Sequence, residues 1–159
     1  HPAVKKASGE DYRESLEALV EKLGIADNVR FVDKYLSKEE IILYLQLSDV
    51  YLTPYLDKNQ AVSGTLAYAV GCGRVSVSTP YSYANEMLSQ GRGLLAKFRD
   101  SESIAKCIEF VIDHPEEKKQ MELKTLETGK TMSWGHVAQQ YKMLFADVLR
   151  QHNAKLAIA

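Results

Sequence analysis

The chain has 159 residues, of which 45% are hydrophobic and 26% charged, and 20 basic against 21 acidic side chains give a net charge of -1 at pH 7. This length and composition predict one globular domain with a sizeable core. The balanced charge, spread without long single-sign blocks, excludes the basic footprint of a nucleic-acid-binding or anionic-membrane-binding protein.

The sequence also lacks the signs of export, membrane insertion and metal binding. It contains no run of about 18 apolar residues and no signal-peptide pattern. Its two cysteines, Cys72 and Cys107, are far apart and belong to no metal-ligand motif. We therefore expect a soluble, cytoplasmic protein without a metal or a bound cofactor. Because the chain begins at His1 and not at methionine, we also expect a processed product or a piece of a longer protein.

The first third of the chain predicts a helix, a strand and a second helix. In "EDYRESLEALVEKLG" apolar residues recur at helical spacing, and Gly24 is suited to end the helix. The segment "NVRFV", residues 28–32, has the β-rich composition of a strand. "SKEE", residues 37–40, is a capping box that leads into "IILYLQL".

The middle of the chain predicts short strands that alternate with short helices. "DVYLTPY" predicts a buried strand ending at Pro54, followed by a loop over residues 56–62 and a helix in "GTLAYAVGCG". "RVSVS" predicts the next strand. A short helix over residues 83–88, a turn at 91–93 and a weak strand over 93–98 follow.

Helices dominate the rest of the chain. One is predicted to close near His114, a charged one runs over residues 116–128, and a last one, anchored by Trp134, runs over residues 133–148. The alternation of strands and helices predicts an α/β fold with a parallel sheet flanked by helices. We expect one Rossmann-like lobe over residues 1–150 and a C-terminal tail over residues 151–159.

The junction "AVSGTL" is the strongest candidate for a site. The loop before it leaves the carboxyl end of a predicted strand, where open α/β sheets bind ligands. A helix starting at Gly64 directs unpaired N–H groups and its positive dipole end toward that loop, which suits a phosphate or diphosphate, and Ser63 and Thr65 add hydroxyl donors. The simpler interpretation is that Ser63 is only an N-cap.

In the order of its pieces, the chain resembles the C-terminal, donor-binding lobe of GT-B retaining glycosyltransferases, specifically glycosyltransferase family 4. The resemblance runs from "GEDYRESLEALVEKLGIADNVRFV" through "DVYLTPYLDKNQAVSGTLAYAVGCGRVSVSTPYSYANEML" to "GKTMSWGHVAQQY". It implies transfer of a hexosyl group from a UDP-, GDP- or ADP-sugar to a glycan, lipid or other acceptor, as in polysaccharide biosynthesis. It also implies that an acceptor-binding lobe and the first strands of the donor lobe precede His1.

The resemblance assigns roles to individual residues. The tip Ser63-Gly64-Thr65-Leu66 matches the family's diphosphate-binding position. The two glutamates of the family signature fall on Gln60, the donor-sugar contact, and on Tyr68, the ribose contact. Both carboxylates are therefore replaced, as in a subgroup with Gln-x-x-Ser-Gly-Thr-Leu-Ala-Tyr-Ala.

Several other residues keep two interpretations. Glu86 is either a donor contact or a surface residue, and Arg92 is either an anion contact or part of a structural turn. Tyr81 and Tyr83 either line the cleft or belong to the core. His114, His136 and His152 have no partner at catalytic spacing.

The sequence therefore predicts part of a retaining glycosyltransferase that is inactive as this fragment. The alternatives are a catalytically inactive Rossmann-like nucleotide-binding or regulatory module, which the missing glutamates would permit, and, with less support, a sugar-nucleotide epimerase. Sheet edges exposed by missing strands would favour self-association. Peripheral membrane association is expected only through the missing part.

Overall fold

The computed structural model describes residues 9–156, which fall into two compact units. One unit extends to Glu39 and the other begins at Glu40. The predicted boundary between a lobe ending at residue 150 and a tail stays a prediction, and the last helix runs through it to Leu156.

The first unit contains the predicted amphipathic helix. Helix α1 spans Asp11–Leu23 and ends at Gly24, whose φ of 66° is the left-handed conformation that favours glycine, so this prediction is confirmed. Arg13 stabilises its first turns through contacts to Glu10 and Glu17.

The predicted strand at residues 28–32 is wrong. A short 3-10 helix, Ala26–Asn28, is followed by residues 29–37 in neither helix nor strand. A strand becomes stable when its backbone N–H and C=O groups pair with a neighbour, and no strand in the described part of the chain pairs with this segment.

Helix α2, Lys38–Leu47, begins directly after Ser37, where the capping box predicts a start. The elements that follow lie in the second unit and have the predicted order. They are strand β1, Tyr51–Thr53, helix α3, Gly64–Gly71, strand β2, Ser76–Ser78, helix α4, Ser82–Met87, a 3-10 turn, Ser89–Gly91, and strand β3, Gly93–Leu95.

Within residues 9–156 the sheet has three parallel strands in the order β1-β2-β3. Leu52 is in register with Val77, and Val77 with Leu94. The strands are shorter than predicted. Strand β1 is only partly buried, because it is an edge strand with one neighbour: Thr53 is 2% exposed but Leu52 is 41% exposed. The expected α/β fold, a parallel sheet flanked by helices, is confirmed.

Three helices complete the chain: α5, Ser101–Asp113, α6, Pro115–Thr131, and α7, Trp134–Leu156. The expected anchoring role of Trp134 is wrong, because its side chain is 87% exposed. Helix α7 also exposes a row of large apolar side chains, Tyr141, Leu144, Phe145 and Val148. None of the helices between residues 9 and 156 combines the length and apolarity needed to cross a bilayer.

Two apolar clusters form the core of the second unit. One joins α3 to α4 through Leu66, Val70, Tyr81, Ala84, Met87 and Leu88. The other joins the start of β2 to α5 and α6 through Val75, Val111 and Met121. Helices α3 and α6 approach closely at Gly129, where an added Cβ would lie 2.7 Å from the carbonyl oxygen of Val70. The body of α3 is therefore fixed by packing, and its first residue, Gly64, remains exposed.

Candidate functional site

The candidate site lies where β1 ends and α3 begins. A loop over residues 54–62 connects the carboxyl end of β1 to α3, as predicted. The carboxyl edge of a parallel sheet is the usual position of ligands in open α/β folds. The site is therefore built from this loop, the first turn of α3 and the residues that support them.

The loop is held along the turn between β2 and α4. Residues 78–83 donate hydrogen bonds to four backbone carbonyl oxygens, of which three lie in the loop and one belongs to Thr53, just before it. The pairs are Ser78 Oγ to Thr53 at 3.1 Å, Thr79 Oγ1 to Tyr55, Ser82 N–H and Oγ to Lys58 at 3.0 and 3.2 Å, and Tyr83 N–H to Gln60 at 3.3 Å. Its backbone conformation is thus set mainly by hydroxyl groups from another segment.

Ser63 caps α3. Its backbone is extended, with φ of -140° and ψ of 107°, and its Oγ accepts the N–H of Leu66 at 3.3 Å. The predicted N-cap is therefore confirmed. Its carbonyl oxygen accepts the N–H of Ala67 at 3.0 Å, which starts the helical ladder.

The cap leaves two donors at the tip of α3. Within the described residues, the N–H groups of Gly64 and Thr65 make no hydrogen bond. An added Cβ at Gly64 would meet no atom within 4 Å, so the space beside this residue is open. Leu66 differs from its neighbours because its N–H is used by Ser63 and its side chain is fully buried in the core. The free donors of the tip are therefore those of Gly64 and Thr65.

Gln60 lies in the loop just before this tip. Its N–H donates to the carbonyl oxygen of Asp57 at 3.2 Å and its side-chain Nε2 to that of Val62 at 3.0 Å. These bonds leave the side-chain carbonyl oxygen of Gln60 as an acceptor beside the helix start. Tyr68, half-buried, lies one turn into α3 at position i+4 from Gly64, on the same side of the helix.

A cluster of hydroxyl groups lies behind the tip. The Tyr51 hydroxyl donates to Thr65 Oγ1 at 2.7 Å, and Ser63 Oγ lies 3.5 Å from the same oxygen. Burial is the main cause that raises the pKa of Tyr51 above its ordinary value, whereas the hydroxyls of Thr65 and Thr53 lower it. Tyr51 therefore stays neutral and acts as a hydrogen-bond donor at physiological pH. Sequence reasoning missed Tyr51, because its partner is 14 residues away.

The structure assigns the remaining candidates to surface and supporting positions. Glu86 lies exposed on α4, where its charge adds to burial in raising the pKa of Tyr83. Arg92 donates to the carbonyl oxygens of Met87 and Glu86 at 2.7 and 2.6 Å, which confirms the structural turn. Tyr81 is fully buried in the core. His114, His136 and His152 are exposed.

A cleft of about 400 Å³ lies elsewhere, at the start of β3 beside α5 and α6. Leu94, Phe110 and Met121 line it, and none of the predicted site residues does. Among the described side chains, no three of His, Cys, Asp or Glu are grouped so that they could hold a metal ion.

Comparison with known protein families decides the relationship. A family model described as "Glycosyl transferases group 1" matches residues 7–127. The matched region begins before α1, ends within α6 and includes the whole candidate site. The chain belongs to this family. Gly64 and the loop before it therefore lie inside the matched glycosyltransferase domain.

Solved structures show the same fold for this group 1 domain. Sucrose-phosphate synthase from Thermosynechococcus elongatus matches with a TM-score of 0.72 and 18% sequence identity over 91% of this chain. The C-terminal domain of a glycosyl transferase group 1 family protein from Francisella tularensis matches with a TM-score of 0.67 and 15% identity over 77% of it. The match covers 36% of the first of these chains and 62% of the second. No curated protein sequence matches.

Proposed function

We propose that this chain is the donor-binding lobe of a retaining, family 4 hexosyltransferase and that it binds a nucleotide diphosphate sugar at the tip of α3. The observation that supports this most directly is the pair of free N–H groups at Gly64 and Thr65, at the carboxyl edge of the sheet and inside the matched domain. A helix N-terminus with free donors stabilises a diphosphate through both hydrogen bonds and the helix dipole. In a transferase the same donors stabilise the charge that develops on the leaving diphosphate.

The neighbouring residues fit the sugar and ribose. Gln60 presents a side-chain carbonyl oxygen that accepts a hydrogen bond from a sugar hydroxyl, and the Tyr68 phenol contacts the ribose. Both groups are neutral, so the site stabilises a positively charged sugar centre less than two glutamates would. Glu86, exposed on α4, is a second candidate contact to the donor.

The whole protein carries an acceptor lobe upstream of His1 and transfers the sugar to a glycan or lipid in polysaccharide biosynthesis, in the cytoplasm. This chain alone binds the donor, as a UDP-, GDP- or ADP-sugar, and is inactive. The alternative, a regulatory module that binds nucleotides without chemistry, shares the same ligand site and differs only in turnover.

The first test is binding of UDP-glucose, GDP-mannose and ADP-glucose by titration calorimetry, comparing the parent chain with Gly64→Asp and Gly64→Ala. The aspartate places a carboxylate against the diphosphate, so the affinity should fall by at least about tenfold. An acidic residue in the first turn stabilises a helix, so Gly64→Asp should unfold at the same urea concentration as the parent or a higher one.

The alanine variant is the matched control. Its Cβ meets no protein atom within 4 Å, so it should fold as the parent does, and because it adds a methyl group without a charge it should lose less affinity than Gly64→Asp. Equal affinity of the parent and Gly64→Asp would remove the diphosphate from the tip of α3. If the full-length polypeptide that contains this chain binds a nucleotide sugar but neither hydrolyses nor transfers it, the regulatory alternative is correct.

A further inference from the structure

The cleft beside β3 lies at the opposite edge of the sheet from the tip of α3. It opens at the amino end of β3, whereas the proposed donor site lies at the carboxyl end of β1. Its volume of about 400 Å³ is in the range of small-molecule pockets in proteins, about 300–1,000 Å³. No residue proposed to contact a nucleotide sugar lines it, so the cleft is a separate candidate site.

The floor of the cleft is apolar and held in place by its neighbours. Met121 is 7% exposed and packs with Val111 in the core, and Leu94 packs against the same cluster. Phe110 stacks on His114 with ring centroids 4.3 Å apart, yet it remains 37% exposed. An apolar group that covers this floor is removed from water, which favours binding.

Helix α6 forms one wall of the cleft, and the charges on this wall differ in sign between its two ends. Glu116 and Glu117 lie in the first turn of the helix, and Lys124 lies about two turns later. With a helical rise of about 1.5 Å per residue, Glu117 and Lys124 are about 10 Å apart along the axis. The Lys124 side chain lies over the 3-10 turn, with its Nζ 3.1 Å from the position of a Cβ added at Gly91. Met121 lies between the acidic end and the basic end.

The three charged side chains of this wall are unpaired in the described part of the chain. Within residues 9–156 no ion pair or hydrogen bond joins them to another residue. Elsewhere on α6, by contrast, Lys118 contacts Asp49 at 2.8 Å and Glu122 at 3.9 Å. The charges that line the cleft are therefore available to a ligand.

We propose that this cleft binds an elongated zwitterion with an apolar middle, its ammonium group at Glu116 and Glu117 and its acidic group at Lys124. A ligand with one charge suits only one end, because a cation is repelled by Lys124 and an anion by the glutamates. A ligand with opposite charges about 10 Å apart pairs with both ends and covers Leu94 and Phe110 with its middle. A nucleotide sugar does not have this charge pattern, so the inference does not rest on the proposed function.

The experiment titrates the parent chain with ω-aminooctanoate, whose extended chain spans this distance, and follows amide chemical shifts by NMR. Octylamine and octanoate, with one charge each, and ω-aminobutanoate, which is too short, are the matched probes. The shifts should change at residues 91–94 and 116–124. A ligand with about ten non-hydrogen atoms should have a dissociation constant on the order of 1–10 mM, and each matched probe should bind about threefold more weakly or worse.

Charge variants give changes of opposite sign that unfolding cannot imitate. In Lys124→Gln the affinity for ω-aminooctanoate should fall about threefold, whereas that for octylamine should stay the same or rise. In the Glu116→Gln/Glu117→Gln double variant the zwitterion should again bind more weakly, whereas octanoate should bind as well as to the parent or better. Gln120→Trp fills the cleft and should weaken binding at least about tenfold. Gln140→Trp, at an exposed glutamine of α7, is its control and should bind as the parent does.

The inference has clear contrary outcomes. If none of the four probes shifts the amides of residues 91–94 and 116–124, the cleft is not a binding site. If octylamine or octanoate binds the parent as tightly as ω-aminooctanoate, or if Lys124→Gln weakens octylamine and the zwitterion alike, the recognition of two charges is wrong. The nucleotide-sugar titrations of the tip of α3 stand or fall separately from either result.

Discussion

Ser63 determines what the start of α3 can bind. Its Oγ and its carbonyl oxygen take the N–H groups of Leu66 and Ala67, so the helix is nucleated without help from a ligand. The two N–H groups that precede them remain free. A helix end that is stable and yet retains unused donors is already organised for an anion, which limits the entropy that binding must cost.

Such local features can be predicted from the sequence, and long-range ones cannot. The cap depends on residues three apart, so the pattern Ser-Gly-Thr-Leu indicates it directly. The Tyr51–Thr65 bond joins residues 14 apart, and the bonds that hold the loop at residues 54–62 come from residues about 24 positions later. These contacts exist only after β1 and β2 have paired, and no spacing in the chain reveals them.

At the residue scale, Tyr51 predicts an alkaline loss of stability. Its pKa is raised by burial, so the folded chain holds a neutral phenol at a pH where the unfolded chain ionises it. The unfolded state therefore binds fewer protons above about pH 10, and the free energy of unfolding should fall as pH rises from there to the folded pKa. Urea unfolding of Tyr51→Phe between pH 8 and pH 11 should show a shallower decline than that of the parent. Parallel curves would contradict the raised pKa of this partly buried phenol.

At the element scale, α3 owes its position to helix packing and not to its own propensity. It has only eight residues, several of them small, and it would be marginal in isolation. Leu66 and Val70 anchor one face in the core, and α6 packs closely against the other end of the helix at Gly129. The tip that carries Gly64 and Thr65 is thus positioned from behind by α6.

Glycine at position 129 should consequently be required. In Gly129→Ala the new Cβ would meet the carbonyl oxygen of Val70 at 2.7 Å and the Cα of Gly71 at 2.9 Å, both backbone atoms that cannot move away cheaply. We expect a loss of about 1–3 kcal/mol in the free energy of unfolding, measured in urea. Gly135→Ala, in α7, is the matched control: its Cβ meets nothing, so better helix propensity should leave stability unchanged or raise it by up to about 1 kcal/mol. Equal stabilities of the two variants would contradict the close approach of α3 and α6.

The same scale explains the failed strand at residues 28–32. Its composition suits a strand, and the helix before it was predicted correctly. A strand, however, is completed by other strands, whereas a helix pairs its own backbone groups. The sequence "NVRFV" therefore has the β propensity of a strand, but it does not show whether a neighbouring strand is present to pair with it.

At the scale of the whole molecule, the sheet has an unpaired edge at β1 in the part that the structure describes. The Tyr51 N–H donates to the carbonyl oxygen of Val75, the residue before β2. Because alternate residues of a parallel strand face opposite sides, the N–H and C=O groups of Leu52 face away from β2. Unpaired strand edges of this kind favour association with another chain.

We predict that the chain associates with itself through this edge. The weight-average molar mass of the parent chain, measured by multi-angle light scattering, should rise with concentration. Leu52→Lys adds a charge at the edge and should keep the chain monomeric at concentrations where the parent associates. Leu123→Lys, at an exposed leucine of α6, controls for the added charge and should associate as the parent does. A parent that stays monomeric at high concentration would exclude the edge as an interface.

The hydrogen bonds between residues 53–60 and residues 78–83 have a consequence for how this site could be altered. The loop supplies residues of the proposed site, but Ser78, Thr79 and Ser82 supply the groups that give it its shape. Transplanting the loop alone into another member of the family would transfer its sequence without the hydrogen-bond donors that fix its conformation. The two segments, separated in the sequence by α3 and most of β2, form a single exchangeable unit, and the loop should be redesigned or exchanged only together with residues 78–83.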